Sequence, residues 1–345
     1  MALASVPPFD FKKNKENFSM AYEMTFKFAP AEWLPFKDEE VMLSAMTEDF
    51  YKREGKKFEN PDFELKVVHD VHNYFAVDLM QRIRMSDVKN EKLVVILPSP
   101  ENAVFISVTE ALNKYNISCR NLHVFFLYEY ANDEGKVAPW QSPFSRSGHF
   151  MRYFYNRLKA ELRMPMEQIH FWNDKNIESY SDELKALGGA DVAYTALSWS
   201  GGIGAIDPES FPAESVDEFV KMGSRLVTPM AEMIAHDSLR GMFGCSGDIS
   251  SVPPRAVTVG PRDLMESKLW IDVEYLTACG GSLAHQKFPL RLAMFGPISE
   301  KNPGSIMRLH KGVCYLSDDV AVPPATPPDY DILERIAEIK AKEEK

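Results

Sequence analysis

The chain is poor in cysteine and lacks the clustered motifs that bind metals. Its 345 residues include four cysteines, which are far apart and form no CxxC pair: Cys119, Cys245, Cys279 and Cys314. The eight histidines form neither an HxxxH nor an HExxH pattern. We therefore expect buried, reduced thiols in a cytoplasmic protein, with no metal site and no cofactor.

Long hydrophobic runs and an excess of positive charge are also absent. No apolar run approaches the roughly 18–20 residues that cross a bilayer, and the N-terminus lacks the basic segment and apolar core of a secretory signal. Lysine and arginine total 39 against 50 aspartates and glutamates, a net charge of −11. Because nucleic-acid binding needs a basic surface, we expect neither nucleic acid nor membrane as a partner.

The remaining composition is that of a soluble globular protein, with 45% hydrophobic and 26% charged residues. The length allows two domains or one large α/β domain with extensions, and the pattern along the chain favours the second. We expect an N-terminal extension over 1–66 that packs on the main domain. The α/β domain covers 67–320, and a proline-rich linker and helix cover 321–345.

Short apolar runs alternate with helical segments through the main domain. Predicted strands cover 93–97, 122–127, 168–172, 190–197, 255–259, 269–275 and 313–317, and predicted helices cover about 103–114, 148–163 and 177–187. The pair Gly188-Gly189 is typical of a helix C-cap. This β-α-β alternation predicts a Rossmann-like α/β fold, with a mostly parallel sheet and helices on both faces.

The two ends of the chain carry apolar faces of their own. Residues 1–66 contain too many aromatic side chains for a disordered tail, and the spacing over 41–50 predicts a helix. After the linker 323–328, a charged helix has Ile332, Leu333, Ile336 and Ile339 on one face. This helix could dock on its own domain or on a neighbouring subunit, so a homo-oligomer stays open.

Ligands of such sheets bind beyond the carboxyl ends of the strands, which directs attention to the loops after Leu97, Leu127 and Leu197. The first loop, 98–102, could hold a phosphate at the N-terminus of the following helix. It could equally be a plain connection in which Ser99 or Asn102 caps that helix.

The second and third loops carry carboxylates and glycines. Glu129 follows a buried strand, where partial burial would adapt a carboxylate to proton transfer; a solvated acidic turn is the alternative. The loop 198–208 contains Gly201, Gly202 and Gly204 and then Asp207. Its glycines allow a ligand to approach the backbone closely, although a tight strand-to-helix turn explains them as well.

Taken in order, these segments resemble the glucosamine-6-phosphate deaminase/isomerase family, within the ribose-5-phosphate isomerase and CoA-transferase-like folds. The resemblance covers about residues 67–320 and is carried by six segments: Leu97-Pro98-Ser99, Tyr128-Glu129-Tyr130, Met164-Pro165-Met166-Glu167-Gln168-Ile169, 201–208, Ala256-Val257-Thr258-Val259-Gly260 and His285-Gln286-Lys287. It implies a sugar-phosphate ligand, with Ser99, Asn102, Ser200, Gly201, Gly202 and Lys287 as the substrate-binding residues.

The same resemblance implies a proton shuttle between adjacent carbons and a histidine that opens the sugar ring. Here Tyr128 stands in place of the shuttling aspartate, Ser200 in place of the supporting aspartate and Gly202 in place of the histidine. Asp207 replaces a glutamate, and the segment 100–102 replaces the glycine-rich phosphate loop. We therefore assign Glu129, Asp207 and Tyr128 as candidate catalytic residues, and His149 or His123 as a substitute for the imidazole.

Three functions follow from these substitutions. The protein could be a sugar-phosphate isomerase or deaminase with a rearranged site, or a binding or regulatory protein that has lost the acid–base residues. A lactonase-like hydrolase is the third, because a sister family places a similar glycine loop before a histidine.

Overall fold

The computed structural model describes residues 41, 45, 48–53, 55, 57–100, 102–244, 246–274 and 286–322. The expectations for residues 1–40, Glu101, Cys245, Cys279, His285 and the tail from Pro323 onward lie outside these ranges. Within them, the strands are β1 (Phe63–Val68), β2 (Leu93–Leu97), β3 (Leu122–Phe126), β4 (Tyr128–Ala131), β5 (Ile169–His170), β6 (Val192–Thr195), β7 (Arg225–Val227), β8 (Arg255–Thr258), β9 (Trp270–Glu274) and β10 (Gly312–Ser317).

The α-helices in the same ranges are mostly short. They are α1 (Phe50–Arg53), α2 (Val71–Lys89), α3 (Asn102–Tyr115), α4 (Arg146–Tyr153), α5 (Tyr180–Ala186), α6 (Val216–Phe219), α7 (Ala231–Ser238), α8 (Pro261–Met265), α9 (Lys287–Phe295) and α10 (Asp318–Ala321). The helix predicted over 148–163 ends at Tyr153 and continues as separate 3₁₀ turns. Gly188 and Gly189 follow α5 with φ of 90° and 76°, as a C-cap pair requires.

Seven strands form a sheet in the order β1-β10-β9-β6-β2-β3-β5, and every neighbouring pair is parallel. All five residues of β2 are buried. Because alternate residues of a strand point to opposite faces, the sheet is covered on both sides at its centre. The predicted α/β class with a parallel sheet is confirmed.

The sheet begins earlier than the predicted domain start at residue 67. In β1, buried Phe63 and Leu65 alternate with exposed Glu64 and Lys66, and the strand pairs with β10 at the sheet edge. Such an edge strand has one covered and one exposed face, so its alternating pattern lacks the continuous apolar run of a central strand.

A second sheet of three antiparallel strands, β4-β8-β7, was not predicted. It contains the 255–259 segment, which the sequence placed with the parallel strands. Leu127 joins the two sheets, because its N–H donates to Leu97 O (2.9 Å) and its carbonyl accepts from Val259 N (3.1 Å). The small sheet therefore begins at the carboxyl end of β3 and forms a wall there.

Both described cysteines, Cys119 and Cys314, are buried and unpaired thiols, as expected. Burial raises the pKa of each thiol, with a further contribution from nearby aspartates. None of the helices in the described ranges is long and apolar enough to cross a membrane.

Helix α2 provides a matched test of the core. Leu79 is fully buried, whereas Val88 on the same helix is 71% exposed. We expect Leu79→Ala to lower the free energy of unfolding by about 2–5 kcal/mol, because it leaves a cavity under the sheet. Val88→Ala should change it by less than about 0.5 kcal/mol. Denaturant titration measures both, and equal effects would contradict the packing described.

Candidate functional site

A cavity of about 30 Å³ lies at the carboxyl edge of the parallel sheet. The strand order reverses between β6 and β2, and ligands of open α/β sheets bind at such a switch point. The cavity is lined from all three predicted loops, by Ser99 after β2, Tyr128 after β3 and Ser198 after β6. The loops singled out from the sequence therefore converge on one place.

Two arginines and one aspartate form the charged part of the cavity lining. Arg146 Nη2 lies 2.9 Å from Asp237 Oδ2, and Arg240 Nε lies 3.0 Å from Asp237 Oδ1. Arg146 and Asp237 are almost fully buried, whereas the Arg240 side chain is 20% exposed. The described lining thus brings two guanidinium groups and one carboxylate together in an acidic protein.

Tyrosines fix the position of Arg146. Its guanidinium carbon lies 3.6 Å from the ring centroid of Tyr128, a cation–π arrangement. The Tyr130 hydroxyl donates to Asp237 Oδ2 (2.7 Å) and accepts from Arg146 Nη2 (2.9 Å). Burial, followed by the negative charge of Asp237, raises the pKa of Tyr130 well above its ordinary value. The phenol therefore stays protonated and holds both charged groups.

Glu129 is fully buried and anchors the start of α4. Its carboxylate accepts hydrogen bonds from Tyr130 N (2.9 Å), Arg146 N (3.0 Å), Ser145 Oγ (2.8 Å), Ser147 N (2.9 Å) and Ser147 Oγ (2.7 Å). Burial raises the pKa of Glu129, and these donors oppose the rise. Glu129 is not among the described residues that line the cavity, so its geometry is that of an anchor beneath Arg146.

Asp207 is also fully buried, and it closes the loop that follows β6. Its Oδ1 accepts from Ser200 Oγ (2.6 Å) and its Oδ2 from Met230 N (3.1 Å). Ser200 Oγ in turn lies 2.8 Å from Ser198 Oγ, which lines the cavity. Burial raises the pKa of Asp207 to about 6, against the two donated hydrogen bonds. Asp207 therefore reaches the cavity only through two serine hydroxyls.

Gly202 occupies a position with no room for a side chain. A Cβ there would lie 2.8 Å from Ile206 O and 3.1 Å from Ser198 Oγ, and closer still to Asp207 Oδ1. The family resemblance places a histidine at this position. The sequence has glycine there, and the packing around Gly202 leaves no space for a histidine side chain. Gly204 has a φ of +61° and packs against Leu127 and Tyr128, which favours glycine for both reasons.

The other predicted binding residues are spread over different surroundings. Ser99 lies in the cavity lining, and its Oγ is 3.5 Å from Arg146 O. Gly201 adjoins the 3₁₀ helix over 303–309, since its carbonyl accepts from Gly304 N (2.9 Å). Asn102 starts α3, and its Oδ1 lies 2.5 Å from His149 Nε2. Lys287 starts α9, and its carbonyl accepts from Arg291 Nη1 (3.0 Å).

Asn102, Gly201, Gly202 and Lys287 are absent from the described cavity lining, as are the two candidate substitute histidines. Burial and nearby arginines lower the pKa of His149 to about 3, so its imidazole is neutral. His123 instead lies 3.2 Å from His170, within the parallel sheet. The structure therefore brings together Ser99, Tyr128 and the Asp207–Ser200–Ser198 chain.

Four titratable lining residues were missed from the sequence: Arg146, His236, Asp237 and Arg240. His236 stacks on Trp199, with ring centroids 5.4 Å apart and planes 10° apart. Arg146 and Asp237 are 91 residues apart in sequence, so no local periodicity relates them. Two signals were available: a charged residue directly after the cap Ser145, and the polar residues His236, Asp237 and Arg240 at and just beyond the end of α7.

A pair of buried carboxyl groups supports the loop from below. Asp272 and Glu274 lie on the same face of β9, and Glu274 Oε1 accepts from Leu197 N (2.7 Å). Burial, followed by the charge of Asp272, raises the pKa of Glu274 well above its ordinary value. The protonated Glu274 can then hydrogen-bond Asp272 while it holds the residue that leads into Ser198.

Two solved enzyme structures have a fold similar to that of this chain. A monomeric glucosamine-6-phosphate deaminase aligns with a TM-score of 0.60 and 18% identity, over 74% of this chain and 98% of that protein. A 6-phosphogluconolactonase from Trypanosoma cruzi aligns with a TM-score of 0.53 and 14% identity, over 77% and 97%. At sequence identities this low, the structural similarity establishes only that the fold is shared.

Sequence comparison finds relatives that are named glucosamine-6-phosphate deaminase. A glucosamine-6-phosphate deaminase from Lachnoclostridium phytofermentans is 26% identical over 166 residues, 46% of this chain and 62% of the relative, so the match spans less than two thirds of its length. One from Oceanobacillus iheyensis is 27% identical over 233 residues, 65% of this chain and 80% of the relative. No family model matches the chain. The chain is therefore similar in sequence to glucosamine-6-phosphate deaminases, as its ordered motifs predicted.

The buried carboxyl of Asp207 predicts a measurable pH dependence. Because its pKa is raised to about 6 in the folded state, protonated Asp207 stabilises the fold at low pH, and this contribution is lost as pH rises through about 6. Relative to Asp207→Asn, the wild type should lose about 3 kcal/mol of unfolding free energy between roughly pH 4 and pH 8. Denaturant titrations at several pH values measure the difference.

Asp133→Asn, in an exposed turn, is the matched control for the loss of one carboxylate. A constant difference between wild type and Asp207→Asn across this pH range would contradict the buried environment described for Asp207.

Proposed function

We propose that the protein binds a sugar phosphate at the carboxyl edge of its parallel sheet. The observation that carries the proposal is the pair of guanidinium groups in the described cavity lining, those of Arg146 and Arg240, which are brought together by Asp237. Arginine suits phosphate because its planar donors can form two parallel charge-assisted hydrogen bonds. The deaminases named among the relatives make a sugar phosphate the first ligand to test.

The more exposed Arg240 is the residue proposed to meet the phosphate. Its side chain is 20% exposed, whereas Arg146 is only 2% exposed and is held between Tyr128 and Asp237. A site of about 30 Å³ has room for one or two water molecules. Most of a sugar phosphate would therefore lie over the mouth of the cavity, or the walls would move apart to admit it.

The chemistry proposed for this site differs from ring opening by an imidazole followed by a carboxylate proton shuttle. Tyr128 replaces the shuttle and packs flat on Arg146, and Gly202 leaves no room for an imidazole. Glu129 is proposed to position Arg146, because its carboxylate is already occupied by five donors. A rearranged isomerase or deaminase site remains the enzymatic form of this proposal.

The second candidate is a binding or regulatory protein without turnover. The observation that favours it is that Tyr128 and Gly202 stand in place of the shuttle and the imidazole, while the cavity lining contains Arg146 and Arg240. In both forms, a cytoplasmic location and the absence of nucleic-acid partners belong to the proposal, and self-association through the tail stays open.

Ligand binding is tested by thermal shift with glucosamine-6-phosphate, 6-phosphogluconate and inorganic phosphate. Saturating sugar phosphate should raise the melting temperature, and a ligand at 100 times its Kd adds about 2.7 kcal/mol of stability. Arg240→Ala should weaken binding by about tenfold or more, because a charge-assisted hydrogen bond contributes roughly 1.5–3 kcal/mol.

The control for this test is Arg120→Ala, which removes an exposed arginine paired with Asp87 far from the cavity. It should leave the ligand-induced shift unchanged. No stabilisation by any sugar phosphate, or equal losses in both variants, would overturn the proposed ligand site.

Deamination by the usual route is expected to be absent. The purified protein should release no ammonia and form no fructose-6-phosphate from glucosamine-6-phosphate above the rate of Glu129→Gln or Asp207→Asn. Gly202→His should not create that activity, because its Cβ would overlap Asp207 Oδ1 and the carbonyl oxygen of Ile206. Turnover that the wild type shows and the two carboxylate variants lack would establish the enzymatic form.

A further inference from the structure

Three side chains form a hydrogen-bonded chain from the interior to the cavity. Asp207 Oδ1 is 2.6 Å from Ser200 Oγ, and Ser200 Oγ is 2.8 Å from Ser198 Oγ. Asp207 is fully buried, and Ser198 is 5% exposed in the cavity lining. The chain therefore links a buried carboxylate to a hydroxyl at the ligand-facing surface.

The hydrogen positions along this chain follow from the acceptors. Ionised Asp207 can only accept, so Ser200 must donate its single proton to Oδ1. Ser200 Oγ is then an acceptor toward Ser198, which donates in its turn. Ser198 Oγ thereby gives its proton to Ser200 and keeps its lone pairs, and Ser198 is one of the residues that line the cavity.

We propose that Ser198 is a nucleophile, activated by Asp207 through the hydroxyl of Ser200, for acyl transfer from carboxylic esters that carry an anionic group. Ser198 Oγ attacks the ester carbonyl while its proton passes to Ser200, whose own proton passes to Asp207. The ester C–O bond breaks, and the leaving alkoxide takes a proton directly from the Ser200 hydroxyl, which Asp207 re-protonates, so that an alcohol is released. Water then hydrolyses the acyl-serine to the free acid.

The loop geometry makes this arrangement depend on Gly202. A side chain at that position would overlap Asp207 Oδ1 and approach Ser198 Oγ to 3.1 Å. Ser198 N also donates to Gly202 O (2.9 Å), which holds the first serine against the glycine. The absence of a side chain at Gly202 thus opens the space in which the carboxylate and the two hydroxyls meet.

The anionic part of the substrate is inferred from the rest of the lining. Arg146 and Arg240 share the cavity with Ser198, and guanidinium groups recognise carboxylate or phosphate. The same groups can stabilise negative charge that develops on a carbonyl oxygen during attack. The proposal depends on the serine chain and not on a sugar phosphate being the ligand.

The test uses a small dialkyl fluorophosphate, which reacts with activated serines by displacement of fluoride. The full-length protein should form one adduct by intact-mass spectrometry, mapped to Ser198, and Ser198→Ala should form none there. The labelling rate should rise with pH through about 6, where Asp207 loses its proton. Ser200→Ala should slow labelling by about 100-fold, the size expected for a lost general base.

Ser210→Ala is the matched control, because Ser210 lies in the same segment and its hydroxyl donates to Thr228 O (3.3 Å), away from the serine chain. It should label at the wild-type rate. Asp207→Asn should also slow labelling. If Asp207→Asn fails to fold, the labelling rate of Ser200→Ala alone tests whether Ser198 is activated through this chain.

Absence of an adduct on Ser198, or an unchanged rate in Ser200→Ala, would overturn the proposal. Labelling requires no sugar phosphate, and the thermal-shift test requires no reaction at Ser198. Labelling of Ser198 without sugar-phosphate binding would therefore refute the proposed ligand and leave this inference standing. Sugar-phosphate binding without labelling of Ser198 would refute this inference and leave the proposed ligand standing.

Discussion

The site depends on a single buried carboxylate, that of Glu129. Its five donors come from the next residue of its own strand and from residues 145–147 at the start of α4. These bonds fix α4 to the small sheet and thereby place Arg146 over the ring of Tyr128. Arg146 then orients Asp237, and Asp237 orients Arg240. An unpaired carboxylate in this position would be costly to bury, so the donors and the charge require one another.

The loop after β6 is organised by a second buried carboxylate. Asp207 holds Ser200 on one side and the start of α7 at Met230 on the other. Glu274 holds the backbone of Leu197 just before the loop. The two carboxyl groups therefore define the path of a glycine-rich segment that has little side-chain packing of its own.

The parallel sheet could be predicted because its central strands are buried on both faces and therefore appear as continuous apolar runs. The loops at its carboxyl edge followed from a general rule for such sheets. The small sheet could not be predicted, because β4 continues directly from β3 across Leu127 and its residues looked like a polar loop. The pattern of apolar residues in a segment indicates how deeply the segment is buried, but it does not show which strand the segment pairs with.

The site was only partly predictable for the same reason. Ser99, Tyr128 and Asp207 lie in or behind the loops that the strand ends define. Arg146 and Asp237 meet across 91 residues of sequence, and only the folded chain reveals that contact. Glu129 was singled out as a carboxylate past a strand end, but the five donors around it come from a helix whose docking the sequence could not show.

Leu127 links the two sheets through its backbone hydrogen bonds, and this restricts how the site can move. Its amide bonds the end of β2, while its carbonyl accepts from Val259 N and from the Thr258 hydroxyl. No loop separates the floor of the cavity, formed by the large sheet, from the wall formed by the small one. The small sheet cannot rotate away from the large sheet without breaking the hydrogen bonds of Leu127. Any opening of the cavity to admit a ligand must therefore come from the helices and loops that face the small sheet across the cavity.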